Sequence, residues 1–304
     1  MAEGPARGGI LVLDKPPGMS SHDVVSVARR HLRPMKVGHT GTLDPFATGV
    51  LPLVVGHATR LAQFFSGAEK TYEARLRFGQ TTDSYDLTGS VTWEAPAGTA
   101  WPSPQAVREA LDGFLGPLMQ VPPAFSAKMT DGVRAYQKAR RGVAVDLPAV
   151  AVTLHGADIV GIDADHVDIR LTCSAGFYVR SLAHDLGARL GVGAHLVSLR
   201  RTRNGPFDLA SAITLDIVVG AGDQLHTRLV PLDALLTEFP SVALTATGVE
   251  YVRHGRDIGP GEILDAPANG PWPERVRLTS PEGILLAIAE PGPGPVLHPA
   301  VVLV

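Results

Sequence analysis

Two stretches of strict alternation limit what this chain can fold into. From Thr71 to Phe78, residues Tyr72, Ala74, Leu76 and Phe78 fall on one side and Glu73, Arg75 and Arg77 on the other. From His166 to Cys173, residues Val167, Ile169, Leu171 and Cys173 alternate with Asp168, Arg170 and Thr172. A period of two sends successive side chains to opposite faces, so each segment reads as a strand with one buried face. Gly9 to Leu13 reads as a further buried strand that enters the turn Lys15-Pro16-Pro17-Gly18. Three helices are expected between the strands. The first has Ser20 or Ser21 as its cap and Val24, Val25, Ala28 and Leu32 at helical spacing. The second opens at Ser103-Pro104, after a loop from Trp93 to Pro104, and runs through Leu115. The third starts near Val179, after the break at Gly176, carries Leu182, Ala183, Leu186 and Leu190 on one stripe, and ends at Gly191. The order is mixed rather than a regular strand-helix alternation, which implies an α+β domain with a mixed, largely antiparallel sheet.

The texture changes beyond Phe239-Pro240. Short apolar segments at Val242 to Leu244, Val276 to Leu278, Ile284 to Ile288 and Val301 to Val304 are separated by Gly and Pro clusters, the pattern of a small β-rich module. A chain of 304 residues fits about two domains. The expected division is a flexible tail at 1–8, a catalytic domain at 9–238 and the β-rich module at 239–304. No apolar run approaches the roughly 18 residues of a membrane span, and the N-terminus lacks a signal-peptide pattern, so a cytoplasmic protein is expected. Cys173 is the sole cysteine, which excludes an internal disulfide, and its strand position points to the core. No Cys or His spacing suggests a metal site.

With 27 Lys and Arg against 30 Asp and Glu, the chain is not a general polyanion binder. The average conceals segregation. Residues 128–141 hold Lys128, Arg134, Lys138, Arg140 and Arg141 against Asp131 alone, and smaller basic groups lie at Arg29, Arg30, Arg33 and Lys36 and at Arg200, Arg201 and Arg203. Any one group reads as a solvated face, but three on a slightly acidic chain point to an oriented anionic partner. The C-terminal module, with seven acids against four arginines, is not the expected phosphate surface.

Chemistry concentrates between Val37 and Pro52, where three glycines, three threonines and two prolines surround one carboxylate, Asp44. Glycine supplies unusual backbone angles and Pro45 stiffens the chain just after the acid, so the loop can hold that carboxylate rigidly. An aspartate-dependent hydrolase would want a metal or further carboxylates, and none is near Asp44 in sequence. His184-Asp185 sits within a helix, where adjacent residues do not share a face, so it offers no Ser-His-Asp arrangement.

The stretch His39 to Leu51 resembles the catalytic loop of the bacterial tRNA pseudouridine-55 synthases, the TruB type of pseudouridine synthase. The resemblance continues, in the family's order, at Leu13 to Ser21, Lys70 to Ala74, Pro122 to Lys128 and Gly176 to Gly187, and covers about residues 9–205. It implies a pseudouridine synthase sheet followed by a PUA-like domain. The implied activity is isomerisation of a flipped-out uridine at position 55 in the T-arm of tRNA, by a monomer without cofactor or metal. It assigns Asp44 as catalytic carboxylate, acting as nucleophile at C1′ or as base on the sugar, with Arg180 as its cationic neighbour and Tyr72 stacked on the base. It further implies RNA contacts by His39, Arg60, Lys128, Arg140 and Arg141, an apolar pocket wall at Leu199, and a structural role for Lys15. Phe125 stands where the family commonly has Tyr, so a polar contact from that ring is lost.

Overall fold

The computed structural model describes residues 7–126, 128–130, 132–139, 141–143, 145–264 and 271–304, apart from the side chains of Thr130, Arg134 and Asp223. Its main sheet has the central order Gly8–Lys15, Thr48–Gly56, Ala194–Asn204, Lys70–Phe78, His166–Cys173, Val150–Asp163 and Gly116–Gln120. All these pairs are antiparallel except Ala194–Asn204 with Thr48–Gly56, and the short Ile213–Thr214 strand runs parallel to Gly8–Lys15 at the far edge. The α+β, largely antiparallel expectation therefore holds. Both alternating segments are strands and pair with each other, Tyr72 opposite Leu171.

The first strand is apolar at every position from Ile10 to Leu13 because it is covered on both faces. Leu11 and Leu13 join one core with the Ser21–His31 and Val179–Arg189 helices, while Ile10 and Val12 join a second core that includes Leu285, Ile288 and Leu303. Those three come from the C-terminal module, a four-stranded sheet ordered Ser241–Ala243, Val276–Thr279, Leu285–Pro291 and Leu297–Val302. The module has its own core around Leu244, Val252 and Leu278, and a helix, Ala246–Arg253, that the apolar pattern did not suggest.

Several boundaries move. The first strand begins at Gly8, and Arg7 donates to the carbonyls of Leu285 and Leu303, so the last two residues of the expected tail belong to the fold. Val91–Glu94 pairs with Gln80–Thr82, which takes Trp93 and Glu94 out of the expected loop. The helix at Pro104 stops at Asp112, capped at Gly113, before reaching Leu115. Ser20 is the cap of the first helix, in a reciprocal arrangement with Asp23, which leaves Ser21 free to point inward. Cys173 is buried and its thiol is pushed up to about 12 by that burial, so it is an inert core group. Among the described residues no helix is long and apolar enough to cross a membrane.

The shared core has a consequence for the division at 238/239. Fully burying Leu285, Ile288 and Leu303 contributes about 1.5–3 kcal/mol each, and their sum rivals a typical net stability of about 5–15 kcal/mol. Deleting residues 240–304 is thus expected to yield an aggregating or strongly destabilised remainder. A truncated protein with an unchanged melting temperature would show that the two parts fold independently.

Candidate active site

The segment from Val37 to Gly56 forms a hairpin. Val37–His39 pairs antiparallel with Thr48–Gly56, Val37 opposite Val55, and the loop between them carries Asp44. The sequence attributes the loop's rigidity to glycine and proline, but most of the fixing comes from outside it. Lys15 is fully buried, and its ammonium donates to the carbonyls of Pro16, Pro45 and Ala47 at 2.9, 3.1 and 2.7 Å. The Ser21 hydroxyl accepts from the Leu43 amide at 2.8 Å and donates to the Leu43 carbonyl at 3.2 Å. Arg201 is 1% exposed and donates to the carbonyls of Val50 and Gly41 at 2.7 and 3.0 Å. Gly49 has φ +101°, and a Cβ there would stand 2.1 Å from the Arg201 carbonyl oxygen, so only glycine allows the two strands this approach.

Asp44 faces Arg180. The guanidinium Nη2 donates to Asp44 Oδ1 at 2.9 Å, and Nε lies 2.9 Å from Oδ2 as an ion-pair contact. Arg180 is held from three further sides. Its Nη1 donates to Asp86 Oδ2 at 3.2 Å and to the Ser84 carbonyl at 3.0 Å, and Nη2 also reaches the Phe125 carbonyl at 3.0 Å. That last contact uses the backbone of Phe125, so the missing Tyr hydroxyl does not affect it. The start of the Val179–Arg189 helix, which aims Arg180, is fixed by Gln120. That side chain accepts from the Tyr178 amide at 2.7 Å and donates to the Tyr178 carbonyl at 2.9 Å.

Burial pushes the Asp44 carboxyl above the usual carboxylate range, and the nearby negative charge of Asp86 adds to the rise, while the Arg180 guanidinium pulls it back. The side chain still keeps 30% exposure. Arg180 is thus a cation between two carboxylates, Asp44 and Asp86.

Asp44 opens into a cavity of about 350 Å³ that is also lined by Tyr72, Arg180, Leu199, Lys128, Lys70 and Arg201. This size lies at the small end of ligand sites, roughly 300–1,000 Å³. Tyr72 is buried on the central strand, opposite Arg201 in register. Burial raises its hydroxyl above the ordinary phenol value, and the Arg201 guanidinium beside it works against that rise. Lys70 donates to the Ser66 carbonyl at 2.7 Å. Burial lowers Lys15 and Lys70 to about 8 each.

Of the residues singled out in the sequence, Asp44, Tyr72, Arg180, Lys128 and Leu199 share this cavity. His39 does not border it; it lines an adjoining cleft, is lowered below the usual imidazole value by burial, and accepts from the Gly41 amide at 3.3 Å. Arg60 donates to the Val302 carbonyl in the C-terminal sheet, and Arg141 is exposed. Arg140 lies outside the described residues. The Arg200 to Arg203 group is not one solvated face: Arg201 is interior and Arg200 pairs with Asp14 at 2.7 Å, while Arg203 is exposed and donates to the Gly205 carbonyl through Nε. Asp86 and Arg201 escaped the sequence reading as site residues. His184 serves neither triad nor ligand set; its ring stacks on Tyr85 with centroids 3.9 Å apart, behind the loop that presents Asp86.

Comparison with known proteins gives the family. The family model described as TruB family pseudouridylate synthase (N terminal domain) matches residues 29–179, and that described as tRNA pseudouridylate synthase B C-terminal domain matches residues 180–237. The tRNA pseudouridine synthase B of Solibacter usitatus is 42% identical over 297 residues, covering 97% of this chain and 99% of that one. Its namesake from Azoarcus sp. is 41% identical over 251 residues, 82% of this chain and 83% of that one. Among solved structures, the archaeal box H/ACA sRNP Nop10–Cbf5 complex contains a chain with TM-score 0.72 at 26% identity, covering 99% of this chain and 87% of that one. A chain in an H/ACA RNP bound to a substrate RNA containing 2′-deoxyuridine gives TM-score 0.71 at 26% identity, covering 98% of this chain and 86% of that one. With relatives above 40% identity along nearly its whole length, and with a carboxylate, guanidinium and aromatic ring converging on one cavity, this chain belongs to the TruB family of pseudouridylate synthases.

Proposed function

We propose that this protein isomerises uridine 55 in the T-arm of tRNA to pseudouridine, with Asp44 as its catalytic carboxylate. The reading is supported chiefly by the two-point contact of Asp44 with Arg180 inside the cavity that Tyr72 also lines. A uridine within a stem-loop must leave its stack to reach this cavity, at a cost of a few kcal/mol. The pocket replaces the lost stacking with the Tyr72 ring and the Leu199 side chain. Either Asp44 attacks C1′ as the N1 to C1′ bond breaks and is displaced when C5 bonds to C1′, or it removes a sugar proton as that bond breaks and returns it when C5 bonds to C1′; on both paths the base turns in between, C5 releases its proton and N1 takes one up. No group leaves the site and nothing is oxidised, so the chain's own side chains suffice. Arg180 keeps the carboxylate oriented, and the Tyr72 hydroxyl would relay the C5 proton, giving up its own as it takes that one. Lys128 at the cavity, and Arg60 and Arg141 on the outside, would contact phosphates, which position RNA without reading its sequence.

The experiment is direct. Unmodified tRNA transcript is incubated with the purified protein, and pseudouridine is mapped by mass spectrometry. One modified uridine, in the T-arm at position 55, is expected. An unmodified T-arm, or modification elsewhere in the tRNA, would overturn the assignment.

A further inference from the structure

Beside the cavity of Asp44 lies a second, larger opening. The end of the Ser21–His31 helix, the turn into the Val37–His39 strand and the chain just after Gly56 enclose about 700 Å³, bordered by Arg29, Arg33, Met35, Lys36, His39 and Thr59 among others. No Asp or Glu borders it. Basic residues in the last turn of a helix ordinarily answer the helix dipole, which accounts for Arg29, Arg30 and His31. It does not account for Arg33 and Lys36, which lie beyond the helix end and are exposed. Among the described residues, neither of these two is in an ion pair or a side-chain hydrogen bond, whereas Arg77, Arg170, Arg180 and Arg200 are each paired with a carboxylate. Arg29 spends its Nη2 on the Val37 carbonyl at 3.1 Å. Like charges brought together on one short segment repel, and among the described residues no carboxylate is ion-paired with Arg33 or Lys36.

The location of this opening suggests what offsets them. Gly38 and His39 line it, while Gly41, Thr42, Leu43 and Asp44 line the catalytic cavity, so the chain passes from one to the other between His39 and Gly41. Two residues span at most about 7 Å, so the two openings lie close enough along the chain for one RNA strand to reach both. Resting on the uridine reading above, we infer that this cleft binds the backbone phosphates of the RNA strand flanking the extruded uridine, through Arg33 and Lys36, with His39 at the junction. The cleft thus fixes which way the strand leaves the cavity. Its charged lining is wholly cationic, with Arg29, Arg33 and Lys36 and no carboxylate, which suits the phosphates of a strand.

The test is the Arg33→Ala/Lys36→Ala double variant, with Arg29 kept because it supports the Val37 strand. Binding of fluorescently labelled tRNA is measured by anisotropy across a salt series, and pseudouridine formation is followed at several RNA concentrations. Each lost phosphate contact lowers the slope of log affinity against log salt by about 0.7–0.9, so the double variant should be shallower by roughly 1.4–1.8. KM should rise several-fold, the loss disappearing at saturating RNA. A control pair of equal charge, Arg108→Ala/Arg228→Ala, exposed elsewhere, should leave the slope unchanged. An unchanged slope and KM in the Arg33/Lys36 variant would overturn the cleft assignment. So would an equal drop in the control, since that reports overall charge. The uridine reading fails separately: wild-type protein that modifies no uridine would sink it before any variant is made.

Discussion

Replacing Asp44 with Asn is expected to lower pseudouridine formation by at least about 10³-fold while leaving tRNA affinity within a few-fold. Asn keeps the size of the side chain and one oxygen for Arg180, but loses the negative charge that either chemical path needs. The fold should tolerate the change, because the Arg180 guanidinium retains the Asp86 carboxylate and the Ser84 and Phe125 carbonyls. A thermal melt close to wild type is therefore part of the expected result. Retained isomerisation by this variant would reject Asp44 as the catalytic carboxylate. The pH profile of the wild type gives a second reading of the same group. Burial, with Asp86 adding to it, raises Asp44 in the folded protein, and the active form is the deprotonated one. Activity should then be full above that raised value and fall as the pH drops through it, with the acid limb above the ordinary carboxylate range. An acid limb at or below the ordinary aspartate value would show that the cavity does not hold Asp44 as the structure indicates.

The sequence exposed some of this site and hid the rest, and the division follows local against long-range physics. Strict alternation set the buried face of Tyr72 and a Gly-rich break put Arg180 at a helix start, while their roles at the site came from the resemblance to the family. Arg201 was not readable. Its strand changes register between Leu196 and Ser198 and again between Arg201 and Arg203, so period-two reasoning fails there and a run of arginines looks like a solvated face. The structural role that the resemblance implied for Lys15 takes its form only in three dimensions: a lysine is almost never interior unless its charge is answered, and the carbonyls that answer Lys15 include two some 30 residues away in the hairpin loop. The docking of Arg60 on Val302 spans 242 residues, and no local pattern encodes it. The two-layer apolar run of the first strand could be recognised as buried, but not that the C-terminal module supplies one of its covers.

Asp86 is the strongest case of a residue visible only in three dimensions, and Asp86→Asn is the change that separates positioning from mere support. In sequence, Ser84-Tyr85-Asp86 looks like any polar turn, and locally it is one. Asp86 Oδ1 accepts from the Ser84 hydroxyl at 2.8 Å and from the Thr88 amide and hydroxyl at 2.9 and 2.6 Å. The other oxygen, Oδ2, is left for Arg180, and both partners are 4% exposed. Tyr85 takes φ +63° and stacks on His184, and the loop is tied to the sheet by Leu196, which exchanges backbone hydrogen bonds with Tyr85 and Leu87 at 3.0 and 2.9 Å. Removing one charge from a buried pair typically costs about 3–5 kcal/mol. Since Arg180 keeps Asp44, a loss near the lower end, about 3 kcal/mol, is expected in urea unfolding. A guanidinium shifted by an ångström misplaces Asp44 as well, and displacements of that size cost about 10²-fold in rate, so kcat should fall by about that factor with KM nearly unchanged. The sign of the pH effect then decides the role. Asp86 raises Asp44 through like-charge repulsion, so its neutralisation should move the acid limb of the activity profile to lower pH. If Asp86 only braced the fold, stability would fall and the limb would stay where it was.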